Sequence, residues 1–181
     1  MLWASIGEEE RRLRALSNQA LARSEAGEDA EVAFQEILSA AQDSPVLRAM
    51  TLINLGCAHQ QRAAPAPAER AFREAILLAE EWQATSLLVS ALTNLGALLH
   101  VQGRLDEAKT TYERGLTLSR QPGEQLFTAM LLTNLAELTE DREAMEEAMM
   151  LLEAGGHTAQ LAHAREIYGR FRAVSGVPVH P

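Results

Sequence analysis

Cysteine occurs once in the 181 residues, at Cys57, so no intrachain disulfide can form. Lysine also occurs once, at Lys109, against fifteen arginines. The 6 prolines and 4% aromatic content leave little punctuation and few large anchors, so each such residue has to be placed with some economy. β-Branched residues are too few and too scattered for a sheet. No apolar run approaches the roughly 18–20 residues that span a bilayer. A net charge of −9 removes the electrostatic case for nucleic acid or an anionic membrane surface. The opening MLWASIGEEERR sets its charges after a very short apolar patch, the wrong order for a signal peptide. These absences predict a cytoplasmic protein, and the Arg-to-Lys imbalance with abundant Ala hints at a GC-rich bacterial genome.

What is present is Ala, Leu, Glu and Arg, the composition of an all-α protein. The chain also repeats itself. Setting Asn54, Asn94 and Asn134 in register, forty residues apart, aligns seven columns. Leu52, Leu92 and Leu132 precede each Asn by two, and a Leu follows it directly. Gly56, Gly96 and Ala136 come next, then Ala68, Ala108 and Ala148, then Phe72, Tyr112 and Leu152, and last Ala75, Gly115 and Gly155.

Each half of the unit has helical spacing. Leu92, Leu95, Gly96 and Leu99 fall at i, i+3, i+4, i+7, and Ala108, Tyr112 and Gly115 continue the pattern on a second segment. Gly103 between them can end the first helix in a left-handed conformation. Pro65 and Pro67 mark the same break one copy earlier, since proline suits a first helical turn. The small residues predict close helix crossings, with the large residue of each copy filling the space. Trp3 and Trp82 are expected to pack at repeat junctions. Upstream, Leu13, Leu16, Ser17 and Ala20, then Ala30, Phe34 and Ile37, read as a diverged copy; Ser44 is expected to cap the next helix. Downstream, Gly155-Gly156 stops a helix and Thr158 is expected to cap another, roughly 159–174, with Leu161, Ala164, Tyr168 and Phe171 on one side.

The pattern L-x-x-L-G-x-x-L…Q-G-x-x-x-E-A-x-x-x-Y-x-x-G, carried most fully by residues 89–120, resembles the tetratricopeptide repeat. The forty-residue period, against the usual ~34, is similar to the longer repeats of the kinesin light chain and Pins/LGN type. The resemblance implies a right-handed superhelical solenoid of about four helix-turn-helix units. They would lie at 6–44, 45–83, 84–122 and 123–156, followed by a capping helix at 157–175 and a tail at 176–181, all in one domain. It also implies that the first helix of each unit lines a concave groove.

On those first helices, away from the core leucines, runs a stripe at spacing 0, 4, 7, 11: Met50, Asn54, Cys57, Gln61; Ser90, Asn94, Ala97, Val101; Met130, Asn134, Glu137, Asp141. Ile53 and Gln60, Thr93 and His100, Thr133 and Glu140 flank it. Asparagine is a poor helix-interior residue because its amide competes for backbone hydrogen bonds. Three at matching places predict a role: either a ladder of carboxamides holding the main chain of an extended partner, or braces to the adjacent helix. Similar ladders grip peptides in the long repeats named above. Ile53, Thr93, Met130 and Thr133 stand where a carboxylate clamp would need Lys or Arg. The groove reads apolar at Met50, Ile53 and Cys57 and acidic at Glu137, Glu140 and Asp141, so the expected partner is hydrophobic next to Arg or Lys.

Chemistry is absent from the pattern. There is no phosphate-binding Gly loop, HExxH, CxxC or GxSxG. The histidines do not converge, so no metal site, cofactor or catalytic residue is expected. The predicted function is a non-catalytic protein-interaction module. The alternatives are a regulatory or sensor subunit of a bacterial signalling or transcription system, or a scaffold that forms homodimers through its end helix or Met149-Met150-Leu151-Leu152.

Overall fold

The computed structural model describes residues 2–121 and 123–174. The tail at 176–181, with His180, lies outside the described residues, as do the side chains of Trp3 and Arg172. The described residues form helices and turns with no strand: α1 (Leu2–Glu25), α2 (Glu31–Ala40), α3 (Pro45–Gln61), α4 (Pro65–Glu81), α5 (Thr85–Val101), α6 (Leu105–Ser119), α7 (Gln125–Thr139), α8 (Arg142–Ala154) and α9 (Thr158–Val174). Helices pair with short turns between them, an all-α helix-pair repeat architecture. The chain divides into two compact units, residues 1–98 and 99–181.

In the first unit α1 packs on α2 and α3, and α3 packs on α4. The diverged first pair closes around Phe34, which meets Ala20, Ala30, Leu55 and Ala58, and around Ile37, which meets Leu13, Ala41 and Leu47. In the α3–α4 pair Gly56 faces the Phe72 ring so closely that a Cβ there would overlap ring carbons. Phe72, Ala68 and Ala75 are fully buried beside it. The missing side chain on one helix is what admits the aromatic ring of the other.

In the second unit α7 packs on α6, α8 and α9. Its core joins Ala129, Ala136, Met145 and Leu152 to Leu161, Ala164, Ile167 and Phe171 of α9. Helix α9 thus covers the open end of the last pair with an apolar face, and shows solvent its Gln160, His163, Arg165 and Glu166.

Three turns share one device. Ala63, Gln83 and Gly103 sit twenty residues apart with φ of 52°, 52° and 75°. In each, the next residue's N–H reaches back five residues: Ala64 to His59 O (2.9 Å), Ala84 to Ala79 O (2.8 Å), Arg104 to Leu99 O (3.0 Å). The left-handed residue's own N–H reaches back three. This six-to-one and five-to-two pair satisfies the carbonyls at the helix end. Only glycine adopts that conformation without strain, so Ala63→Gly is expected to stabilise the fold by up to about 1 kcal/mol, net of glycine's entropy cost. A urea midpoint that falls would contradict this.

Four expectations change. Trp82 is 55% exposed instead of packed at a junction. Ser44 precedes α3 without capping it, its hydroxyl donating instead to Glu10 of α1 at 2.7 Å. Thr158 is the first residue of α9, whose opening carbonyl bond comes from His157 to Leu161 N–H (2.9 Å). Of Met149–Leu152, only Met150 is exposed; Leu152 is buried, and Met149 and Leu151 pack against the core, because a helix face turns past in four residues.

Candidate functional site

The stripe behaves alike on α3, α5 and α7. Its first three positions are half-buried and its fourth exposed on every helix: Met50, Asn54, Cys57, then Gln61; Ser90, Asn94, Ala97, then Val101; Met130, Asn134, Glu137, then Asp141. Val101 is the extreme, at 87% exposure for an aliphatic side chain. Leu52 and Leu55, Leu92 and Leu95, and Leu132 at the columns between are buried, while Leu135 of α7 is half-buried, so the stripe marks the edge where each first helix leaves the core.

The flanking residues divide. Ile53, Thr93 and Thr133 are buried, and the two threonine hydroxyls donate to Val89 O (2.8 Å) and Ala129 O (2.9 Å) of their own helices. They belong to the packed layer behind the stripe, because one residue along a helix turns a side chain by about 100°. Gln60 and His100 remain half-buried, and Glu140 is exposed with φ of 56° at the end of α7.

Three identical asparagines have three different settings. The Asn54 amide donates to Ser17 Oγ (3.0 Å) and Asn18 Oδ1 (3.2 Å), tying α3 to α1. The Asn94 amide donates to Ser90 O of its own helix (3.0 Å). Asn134 has no hydrogen-bond partner among the described residues and lines a hollow of about 270 Å³ with Met130, Thr133, Leu152, Ala159, Gln160 and His163. The bracing role is therefore met at Asn54. In both bonded cases it is the NH₂ that is engaged, and no described donor reaches the carbonyl oxygen.

The acidic end of the stripe is committed within the chain. Glu137 pairs with Arg170 of α9 at 2.8 Å, and Asp141 caps α8 by accepting from Ala144 N–H at 3.1 Å. Glu137 also acts on Tyr112, whose phenol is pushed up first by burial and second by that carboxylate. Only Glu140 is left to meet a basic partner.

Cys57 is half-buried, and burial raises its thiol to about 11, with the Glu25 carboxylate adding to the effect. Alkylation by iodoacetamide at pH 7 should consequently be far slower than for a free thiol and should climb toward pH 11. The same shift sets a stability window. The unfolded thiol ionises from about pH 9 and the folded one only near 11, so this thiol leaves stability unchanged below pH 9 and lowers it as pH rises between the two.

Sequence reasoning gave no sign of a second concavity in the first unit, about 740 Å³, between α2 and α4 over the opposite side of α3. It is bracketed by His59–Glu31 (3.6 Å) and Arg48–Glu74 (3.4 Å). Two residues before Glu31, Asp29 is held below the usual carboxylate range by the Glu31 N–H and then by Arg62. Among the described residues no group of His, Cys, Asp and Glu side chains converges to hold a metal, and no helix is long and apolar enough to cross a membrane.

Two models of the family described as tetratricopeptide repeat match the chain, one over residues 48–81 and the other over 87–155. Those residues are tetratricopeptide repeats. The matched stretches run from α3 to the end of α8, with the stripe on each first helix. Helices α1, α2 and α9 lie outside the matches, although α1 and α2 form the same kind of pair. No curated protein matches the sequence. Tetratricopeptide repeats are helical units generally used in protein–protein interaction, and the matched residues are of that kind.

Proposed function

We propose that the protein is an interaction module that holds an extended partner segment along the stripe of its first helices, by the carboxamide oxygens of Asn54, Asn94 and Asn134. The observation that carries this reading is the orientation of the amides. Asn54 and Asn94 spend their NH₂ groups on the protein and keep a carbonyl acceptor unengaged, and Asn134 keeps both functions. Acceptors at the same half-buried position of each first helix complement the N–H groups of an extended main chain, which carries one donor per residue whatever its sequence. Bracing and binding are then two ends of one side chain.

The partner's chemistry shifts from what the stripe alone suggested. With Glu137 and Asp141 engaged internally, the demand for basic residues shrinks to Glu140. The apolar members Met50, Ala97, Val101 and Met130 carry more of the contact.

The test is a pair of substitutions with opposite signatures. Asn94→Ala removes only an own-helix bond and installs a better helix former, so stability should change by under about 1 kcal/mol. Asn54→Ala breaks the tie to α1 and should cost about 1–2 kcal/mol. Both should weaken a partner recovered from native lysate about tenfold or more, read by fluorescence anisotropy. Affinity unchanged by Asn94→Ala would refute the ladder.

A further inference from the structure

Helix α9 is tied to its unit unevenly. Its C-terminal half carries Arg170 to Glu137 (2.8 Å), the Phe171 carbonyl accepting from Arg142 (3.1 Å), and the Tyr168 hydroxyl donating to Glu146. Residues 158–164 make no side-chain hydrogen bond or ion pair among the described residues; Leu161 and Ala164 hold them by packing alone. The hollow of about 270 Å³ opens beside that unstapled half. Its base is apolar: Leu152 is buried, Met130 half-buried, and the Thr133 hydroxyl is turned away to Ala129 O, which leaves its methyl. Two carboxamides on different helices, Asn134 of α7 and Gln160 of α9, line it with His163. Neither amide has a hydrogen-bond partner among the described residues.

We infer that this hollow is a socket for one apolar side chain, of leucine, methionine or phenylalanine size, from an extended peptide. The peptide's flanking amide groups bond to Asn134 and Gln160. Size argues for a single side chain. At roughly 30 Å³ per water-sized unit the space holds about nine non-hydrogen atoms, below the range of drug-sized ligand sites. Polarity argues for a peptide: an apolar base with an unpartnered carboxamide on each side matches a side chain inserted between two backbone amides, each both donor and acceptor. The inference rests on the reading that the stripe carries a partner segment, and it assigns that segment an anchor. It also gives α9 a second task beyond covering the core, as one wall of the site.

The probes are blocked pentapeptides with phenylalanine, leucine or alanine at the centre between Gly and Ser, titrated into the full ¹⁵N-labelled chain and followed by amide chemical shifts. Saturable shifts at Asn134, Gln160 and His163 are expected with phenylalanine or leucine, and binding about tenfold weaker or more with alanine. Ala159→Trp, at an exposed position that lines the hollow, should fill it and abolish the shifts without changing the helical circular dichroism. Asn134→Ala should weaken them about tenfold. Equal response to the alanine and phenylalanine probes would overturn the socket. So would saturable shifts confined to Asn54 and Asn94, which would leave the carboxamide ladder standing. If no probe binds anywhere, both fail.

Discussion

Phe72→Ala is expected to cost about 3–5 kcal/mol of stability, seen as a large drop in the denaturant midpoint with an unchanged slope. The ring is fully buried and meets α3 where Gly56 has no side chain to fill the gap, so its loss leaves a cavity that neither helix can close without shifting. The reverse change tests the same contact. Gly56→Leu gains up to about 1 kcal/mol of helix propensity but forces a side chain into the ring, costing roughly 1–3 kcal/mol. Placed together, the new leucine enters the space the ring vacated. The double variant should be more stable than the sum of the two single effects by at least about 1 kcal/mol. Strict additivity would mean that Gly56 and Phe72 do not share the crossing.

The second large effect is expected at the other end of the chain. Ile167→Asp sets a carboxylate in a fully buried position of α9, against a cluster of Ala129, Met145, Leu152 and Phe171 that offers no polar partner. An unpaired buried charge costs several kcal/mol. The cheaper outcome is release of α9, which uncovers the apolar face of α7 and α8. The expected result is strong binding of a hydrophobic dye and concentration-dependent association by light scattering. Arg170→Ala serves as the contrast. Its pair with Glu137 is more than half exposed on the arginine side, so its loss should cost no more than about 1 kcal/mol and leave dye binding at the wild-type level. A dye signal from Arg170→Ala equal to that of Ile167→Asp would show that the ion pair, not the packing, keeps α9 in place.

These effects bear on how far the sequence could be read. The helix pairs and their register follow from periodicity, because a face that must be buried recurs every three to four residues whatever surrounds it. The pairing of Gly56 with Phe72 follows from offsets in the repeat for the same reason. The left-handed residue of a turn was legible only where glycine marked it; Pro65 and Pro67 marked the break at Ala63 but not its conformation. Gly103 announces its left-handed conformation, whereas Ala63 and Gln83 adopt the same one unannounced, since their strain is offset by the hydrogen bonds that close the helix ends. Capping also misled: Ser44 had a carboxylate within reach on another helix, and a hydroxyl donates wherever the better acceptor lies.

The site divides in the same way. Sequence alone determined which residues share a helix face, so the stripe through Asn54, Asn94 and Asn134 was foreseeable. Tertiary structure decided what each amide does, because a hydrogen bond depends on which neighbour lies within about 3 Å, and identical residues meet Ser17, Ser90 or nothing. It also decided that Glu137 is neutralised from α9, a helix thirty residues away whose sequence advertises only a polar back and an apolar front. Periodicity fixes direction along one helix; only packing between helices fixes distance, and binding chemistry is a matter of distance.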